Sequence, residues 1–151
     1  MMFITQEQPN SEDASALISE LEAYLDPLYP EESQHGFSIE KLLQEKVDFF
    51  VARVDSKPAS CGAIKLFGAD YGEVKRLYVR SQFRGLGLGK LMLNHLANFA
   101  KDKGVHILRL ETGIYQTEAI SLYERTGYTK IGPFGEYKDD PLSIFYEKNL
   151  F

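Results

Sequence analysis

The feature that constrains this chain most is a glycine-rich segment in its second half, which reads Arg84-Gly85-Leu86-Gly87-Leu88-Gly89-Lys90. A strand-like segment precedes it, and apolar residues at helical spacing follow it, so the glycines form a turn between a strand and a helix. Glycine lets the backbone approach a ligand closely, and a helix start offers unpaired N–H groups and the positive end of the helix dipole. The turn therefore predicts a phosphate site, with Arg84 and Lys90 adding charge.

Two common nucleotide-binding motifs do not fit this turn. A P-loop has a glycine five residues before its last glycine and Ser or Thr after its lysine, but Arg84 and Leu91 occupy those positions. A dinucleotide fingerprint needs the spacing Gly-x-Gly-x-x-Gly, whereas these glycines alternate. On the glycines alone, a flexible helix start that binds nothing remains the alternative interpretation.

The chain before the turn reads as a short strand, two helices and an antiparallel meander, and the chain after it alternates helices and strands. Ser11 and Ser38 are the expected N-caps of the first two helices. The expected turns of the meander are residues 55–58 and 68–72. Strands are predicted at residues 3–6, 47–54, 59–67, 73–79, 105–111, 129–131 and 142–148, and helices at 12–25, near 39–43, from 86 or 87 to 103, and at 117–126.

A strand, a helix and a strand occur in that order around the glycine turn. Strands 73–79 and 105–111 should therefore lie parallel, joined by a right-handed crossover. We expect an α+β fold with a mixed, mostly antiparallel sheet flanked by about four helices, containing a parallel βαβ unit at residues 73–111. The length suits one domain over residues 1–151.

Composition and charge exclude several classes of protein. Residues 1–50 carry eleven acids against two bases, which disfavours nucleic acid as a partner because phosphate binding needs a broad basic face. Residues 75–90 carry five bases and no acid, a compact patch that suits a small phosphorylated ligand. No apolar run is long enough to span a bilayer, and the N-terminus lacks the pattern of a signal peptide. The single cysteine, Cys61, excludes an internal disulfide, so we expect a cytoplasmic protein.

Two segments together resemble the GNAT superfamily of N-acetyltransferases. Its signature, (Arg/Gln)-x-x-Gly-x-(Gly/Ala), is matched by Arg84, Gly87 and Gly89. Downstream the family has an Asn, an Ala, a Leu-Tyr pair and a Gly-aromatic pair. This chain has Gln116 in place of the Asn, followed by Ala119, Leu122-Tyr123 and Gly127-Tyr128. The resemblance covers residues 47–149, and details at 111–113 and 134–143 are similar to a small bacterial subgroup whose members often have no named substrate.

The resemblance implies an enzyme that binds acetyl-CoA and moves the acetyl group to an amine of a small molecule or peptide by direct attack. A backbone N–H at a bulge in the fourth strand, near Leu77–Val79, would polarise the thioester carbonyl. In the family, the Asn at this position contacts the pantetheine arm of CoA. Because this chain has Gln116 there, it is open whether the same contact forms. The implied cofactor-binding residues are Leu77, Tyr78, Val79, Arg84, Gly85, Leu86, Gly87, Leu88, Gly89, Lys90 and Gln116.

For catalysis, the resemblance makes Tyr123 the proton donor to the CoA thiolate, against the alternative of a core aromatic. Glu73 is the first candidate for the base, with Glu111 or water as rivals. The acceptor pocket would be walled by Tyr24, Tyr29 and His35 on one side and by Tyr137 and Asp140 on the other, with Glu111 nearby; packing roles are the alternative for these residues.

A different function also fits the same motifs. A regulatory or sensing module could keep the acyl-CoA turn without turnover, although this chain retains both Tyr123 and acidic candidates. His35, His95 and His106 are too scattered for a metal site, and Cys61 in a strand is typical of an inert core residue. We expect no metal, nucleic-acid or membrane partner, and a homodimer is compatible with the resemblance.

Overall fold

The computed structural model describes residues 1–151 as seven strands and four α-helices. Ser11 and Ser38 cap the first two helices through their side chains, as expected. The strands are β1 (Met2–Glu7), β2 (Asp48–Val54), β3 (Lys57–Phe67), β4 (Tyr71–Val79), β5 (Ile107–Gly113), β6 (Thr129–Ile131) and β7 (Ser143–Asn149), and the helices are α1 (Glu12–Leu25), α2 (Ile39–Gln44), α3 (Leu88–Asp102) and α4 (Thr117–Arg125).

The seven strands form one mixed sheet in the order β1-β2-β3-β4-β5-β7-β6. Every neighbouring pair is antiparallel except β4 and β5, which are parallel. This arrangement confirms the predicted α+β class and the βαβ unit, in which α3 connects the two parallel strands.

The β2–β3 hairpin is tighter than the sequence suggested. The expected four-residue turn at 55–58 is wrong, because β3 already begins at Lys57. Asp55 and Ser56 have φ values of 49° and 69°, the left-handed conformation that a two-residue hairpin turn requires at both central positions. A turn of this kind matches the twist of the flanking strands.

Helices cover both faces of the sheet and leave two separate apolar layers. On one face, Leu17 and Ile18 of α1 pack against Val51 and Cys61 of the meander. On the other face, Met92 and Leu96 of α3 belong to the same buried cluster as Leu108 and Tyr123. The charged residues described below lie where β4 and β5 come apart between these layers.

A β-bulge interrupts β4 at Arg76 and Leu77. Cys61 faces Tyr78 and Ala63 faces Lys75, so two residues of β4 stand opposite Gly62 alone. Arg76 adopts φ 55°, a left-handed conformation inside a strand. The bulge therefore includes Leu77, the first residue of the expected range near Leu77–Val79, and begins one residue earlier, at Arg76.

The parallel strands β4 and β5 pair only at their beginning. Their register joins Gly72 to Leu108 and Glu73 to Arg109 and goes no further, whereas β5 stays paired with β7 as far as Gly113. Beyond Glu73 the strands separate, and a cleft opens between them. None of the helices is long and apolar enough to cross a membrane.

Candidate active site

The glycine turn presents a row of free backbone donors at the start of α3. Gly85 and Gly87 adopt φ 83° and 81°, and Gly87 is the N-cap of the helix. None of the N–H groups of residues 85–90 donates a hydrogen bond to the protein. Unpaired donors at a helix start attract anions, so the turn fits a phosphate group.

A groove of about 400 Å³ runs from this turn to α4, and we call it the glycine groove. Gly89 allows α3 to approach α4, since a Cβ at this position would stand 2.7 Å from Leu122. The side chain of Leu86 is half exposed outside the groove. All other predicted cofactor residues line it: Leu77, Tyr78, Val79, Arg84, Gly85, Gly87, Leu88, Gly89, Lys90 and Gln116.

Gln116 stands at the junction between the groove and the sheet. Its Oε1 accepts a hydrogen bond of 2.9 Å from the backbone N–H of Gly113, which fastens the end of β5 to the start of α4. Its amide nitrogen donates to no protein atom. The side chain therefore keeps a donor available for a ligand, although Gln replaces Asn here.

The second cavity, of about 260 Å³, lies where β4 and β5 separate, and we call it the strand cleft. Leu77 and Gln116 line both cavities, so the glycine groove continues into the strand cleft. Charged and aromatic side chains dominate its interior: Tyr29, Glu73, Lys75, Glu111, Tyr123 and Tyr137.

Glu73 and Lys75 form a buried ion pair on the cleft face of β4. Both side chains are at most 5% exposed, and Lys75 Nζ lies 3.1 Å from Glu73 Oε2. The hydroxyl of Tyr137 donates to the same oxygen at 2.5 Å. Lys75 also contacts the Phe37 ring, with its nitrogen 3.9 Å from the centroid. Burial lowers the pKa of Lys75, and the neighbouring Glu73 opposes that shift.

Glu111 is the second carboxylate of the cleft, and it has fewer partners. The hydroxyl of Ser143 donates to its Oε2 at 2.7 Å, and no other hydrogen bond to the protein reaches it. Burial raises the pKa of Glu111; the bond from Ser143 and the charges of His35 and Lys75 act in the opposite direction. Glu111 is thus a more basic carboxylate than an exposed one.

Tyr123 projects from α4 into the cleft among other aromatic rings. Its ring centroid lies 5.7 Å from that of Tyr128 and 6.0 Å from that of Tyr146. The residue is only 5% exposed, yet its hydroxyl makes no hydrogen bond to the protein. Burial raises its pKa, with a smaller contribution from the charge of Glu111. Tyr123 is therefore protonated at neutral pH and can donate.

Comparison with known proteins shows to which family the chain with these two cavities belongs. The profile of the acetyltransferase (GNAT) family matches residues 14–128, which is most of the chain. The chain belongs to the GNAT family of acetyltransferases. It transfers an acetyl group from acetyl-CoA, and acetyl-CoA is its co-substrate. Residues 14–128 include both the glycine turn and the Leu-Tyr helix α4.

Relatives of similar length support the assignment to the GNAT family. The chain is 41% identical over 148 residues to the IAA acetyltransferase of Azospirillum brasilense, covering 97% of each. It is 34% identical over 123 residues to the uncharacterized N-acetyltransferase YsnE of Bacillus subtilis, covering 80% of this chain and 82% of that protein. A crystal structure from Klebsiella pneumoniae, described as an acyl-CoA N-acyltransferase, has a TM-score of 0.85 at 39% identity and covers 100% and 99% of the two chains.

Within the GNAT fold, Tyr29 caps the strand cleft beside the end of β5. Its hydroxyl accepts a hydrogen bond of 3.0 Å from the backbone N–H of Tyr115. A Cβ on Gly113 would lie only 2.0 Å from that hydroxyl. Gly113 is therefore the residue that lets Tyr29 close over β5.

The remaining predicted acceptor residues lie in different places. His35 lines the strand cleft, with its Nε2 3.6 Å from Asp140 and its ring edge-on to Tyr137. Asp140 lies in the adjoining pocket under the β6–β7 loop, not in the strand cleft. Tyr24 lines the glycine groove and is 45% exposed, so it stands on the cofactor side.

Cys61 has no access to either cavity. It is fully buried, its thiol donates to the backbone carbonyl of Arg76 at 3.2 Å, and burial raises its pKa to about 12. Its position agrees with the core role expected from the sequence. The structure contains no group of three or more His, Cys, Asp or Glu residues that could hold a metal ion.

Several residues of the cleft were not singled out from the sequence. Lys75 could have been found, because residues two apart on a strand share a face and Glu73 was already a candidate. Ser143 and Gly113 belong to the two segments that resemble the bacterial subgroup, but the sequence did not indicate their roles. These roles come from the pairing of β5 with β7 and from the path of the 26–37 loop.

Proposed function

We propose that this GNAT enzyme acetylates a cationic amine by direct attack in the strand cleft, with Glu111 as the base and Tyr123 as the acid. The observation that carries the proposal is that a partly buried carboxylate with a raised pKa and a protonated, unbonded tyrosine hydroxyl line one cleft. Acetyl-CoA would bind through the glycine groove, and its thioester end would reach the cleft past Leu77 and Gln116.

Glu111 is favoured over Glu73 because of what already contacts each carboxylate. Lys75 and Tyr137 both donate to Glu73 Oε2, so this carboxylate is already engaged by two protein donors. Glu111 has one neutral donor and a raised pKa. The charge of Glu111 also raises the pKa of Tyr123, so the proposed base and acid lie near each other. In this proposal Glu73 positions Lys75 and Tyr137.

The chemical step needs no covalent enzyme intermediate. The ammonium group of the acceptor first gives a proton to Glu111, which releases it to solvent. The free amine then attacks the thioester carbonyl carbon, its excess proton passes to Glu111, and the C–S bond breaks as the tetrahedral intermediate collapses. The departing thiolate takes the Tyr123 proton, and proton exchange with solvent restores both side chains. The β4 bulge interrupts the ladder to β3 at Leu77, which suits a backbone N–H donated to the carbonyl oxygen. The only cysteine is buried away from both cavities.

The charge and size of the strand cleft favour a small cationic acceptor. Its lining contains two basic residues, Lys75 and Arg76, and four acidic ones: Glu22, Glu31, Glu73 and Glu111. Its volume of about 260 Å³ lies below the roughly 300–1,000 Å³ of pockets for drug-sized ligands. A small amine fits this space better than a folded protein surface.

The experiment is to measure CoA release from acetyl-CoA with a panel of small amines, amino acids and short peptides, for the wild type and two matched variants. Glu111→Gln should lower turnover by about 10²-fold or more, and Glu73→Gln should retain more activity. High pH should partly rescue Glu111→Gln by supplying neutral amine. A Glu73→Gln variant that is the more impaired of the two would assign the base to Glu73. Acetyl-CoA binding without CoA release for any amine would instead favour a sensing module.

A further inference from the structure

Arg76 is a buried cation with few partners in the protein. Its side chain is 6% exposed and lines the strand cleft. Nε donates to the backbone carbonyl of Phe37 at 2.8 Å, but neither Nη atom makes a hydrogen bond to the protein. The nearest carboxylate, Glu22, is 4.0 Å from Nη2 and is itself nearly half exposed.

The backbone around Arg76 holds the guanidinium firmly in this place. Arg76 is the bulge residue of β4, with φ 55°. The guanidinium lies against Gly36, where an added Cβ would stand 2.5 Å from Nη1. Burial lowers the pKa of Arg76. A buried charge without a close counter-ion is costly, and Lys75 in the same cleft is fully occupied by Glu73, Tyr137 and Phe37.

We infer that the acceptor of this enzyme carries a carboxylate besides its amine, and that Arg76 binds this carboxylate in the strand cleft. The inference rests on the proposed function, since it places the amine of the same molecule near Glu111. A guanidinium offers paired N–H donors whose geometry matches a carboxylate, and both Nη atoms of Arg76 are free to provide them. Amino acids are the chemical class that combines the two groups in a small volume.

A purely structural role for Arg76 makes a different prediction. If Arg76 only fastens the 36–37 segment through Nε, its replacement changes stability and affects all acceptors equally. If Arg76 binds a carboxylate, its replacement affects only acceptors that have one. Arg76→Gln is the suitable variant, because the glutamine amide can still donate to the Phe37 carbonyl.

The test compares each amino acid with the amine that lacks only its carboxylate, for example lysine with 1,5-diaminopentane and phenylalanine with 2-phenylethylamine. The wild type should prefer the carboxylated member by about 10- to 10²-fold in kcat/KM, the effect of one charged hydrogen-bonded pair. Arg76→Gln should reduce this preference to near one by raising the KM for the carboxylated acceptor, while the KM for acetyl-CoA stays unchanged. Arg76→Lys should retain part of the preference. Lys57→Gln removes one charge from an exposed position outside both cavities and should keep the preference.

The outcomes separate the inference from the function on which it rests. Equal activity of the wild type on both members of every pair overturns the inference and leaves the acetyltransfer mechanism standing. A preference that survives in Arg76→Gln also overturns the role of Arg76. If no acceptor of either kind releases CoA, the proposed function fails, and calorimetry of the amino acids and amines with the CoA-bound enzyme then decides whether Arg76 selects carboxylates at all. If Arg76→Gln does not fold, the comparison in the wild type and Arg76→Lys still decides.

Discussion

Ser143 on β7 donates a hydrogen bond of 2.7 Å to the carboxylate of Glu111 on the neighbouring strand β5. It is the only hydrogen bond that this partly buried carboxylate receives from the protein, and it stabilises the charged form. Because burial raises the pKa of Glu111 while this bond lowers it, the serine sets how basic the proposed catalytic carboxylate is.

Ser143→Ala should therefore raise the pKa of Glu111 further. A base must be deprotonated to work, so activity is lost as pH falls through its pKa, and a higher pKa moves that loss to higher pH. We expect the acidic limb of the kcat profile to shift upward, with a full rate above it. Ser60→Ala is the control, since it also removes one serine hydroxyl from a strand, and the Ser60 hydroxyl is buried and has no partner. If the acidic limb of the Ser143→Ala profile stays where it is in the wild type, Glu111 is not the base.

Gly87→Val should abolish acetyl-CoA binding in a protein that still folds. A side chain at this position would crowd the free N–H groups that are to hold the pyrophosphate, and φ 81° would add backbone strain of about 1–2 kcal/mol. Gly104→Val is the control, because Gly104 has φ 80° at the other end of α3 and also faces open space. Both variants should lose similar stability by thermal unfolding, and only Gly87→Val should lose affinity by calorimetry. Equal affinities would place the cofactor elsewhere.

Lys75→Met should destabilise the fold strongly. The substitution leaves Glu73 buried without its cation, and breaking a buried pair from one side costs about 3–5 kcal/mol. Replacing both partners, in Glu73→Leu with Lys75→Met, should recover much of the free energy of unfolding measured in urea. Lys41→Met provides the comparison, because its pair with Glu45 is largely exposed and should be worth at most about 1 kcal/mol. If Lys75→Met lost as little stability as Lys41→Met, the buried pair of Glu73 and Lys75 would not contribute to stability as expected.

Local signals made most of the fold predictable. Ser11 fixes the start of α1 and Gly104 follows the end of α3, because capping depends on residues close in sequence. The order of strand, helix and strand around the glycine turn gave the parallel pair, since parallel neighbours need a crossover connection, which is usually a helix. The motifs around Arg84 and Tyr123 gave the GNAT family, which the family profile confirms.

The details of the site depend on contacts between distant segments, and the sequence predicted these less well. The bulge was located only to within a few residues, because its position is set by the register of β4 on β3, which one strand alone does not contain. Tyr24 and Tyr29 looked equivalent, yet the path of the chain after α1 puts one in the glycine groove and the other over Gly113. A cytoplasmic location, a homodimer and the individual catalytic roles stay predictions.

The most direct test of the account is the turnover of Tyr123→Phe, measured beside its affinity for acetyl-CoA. The substitution removes one hydroxyl that has no partner in the protein and keeps the ring that packs against Tyr128 and Tyr146. Tyr128→Phe is the control, because Tyr128 is also buried but lines neither cavity. We predict that Tyr123→Phe keeps its affinity for acetyl-CoA within a few-fold and that its kcat falls by about 10- to 10³-fold. This is the usual contribution of a general acid, with a modest lower bound because a thiolate is a fair leaving group. Tyr128→Phe should keep its rate. A full rate in Tyr123→Phe with the true acceptor would contradict the account, since the proton would then come from solvent and Tyr123 would be a packing residue.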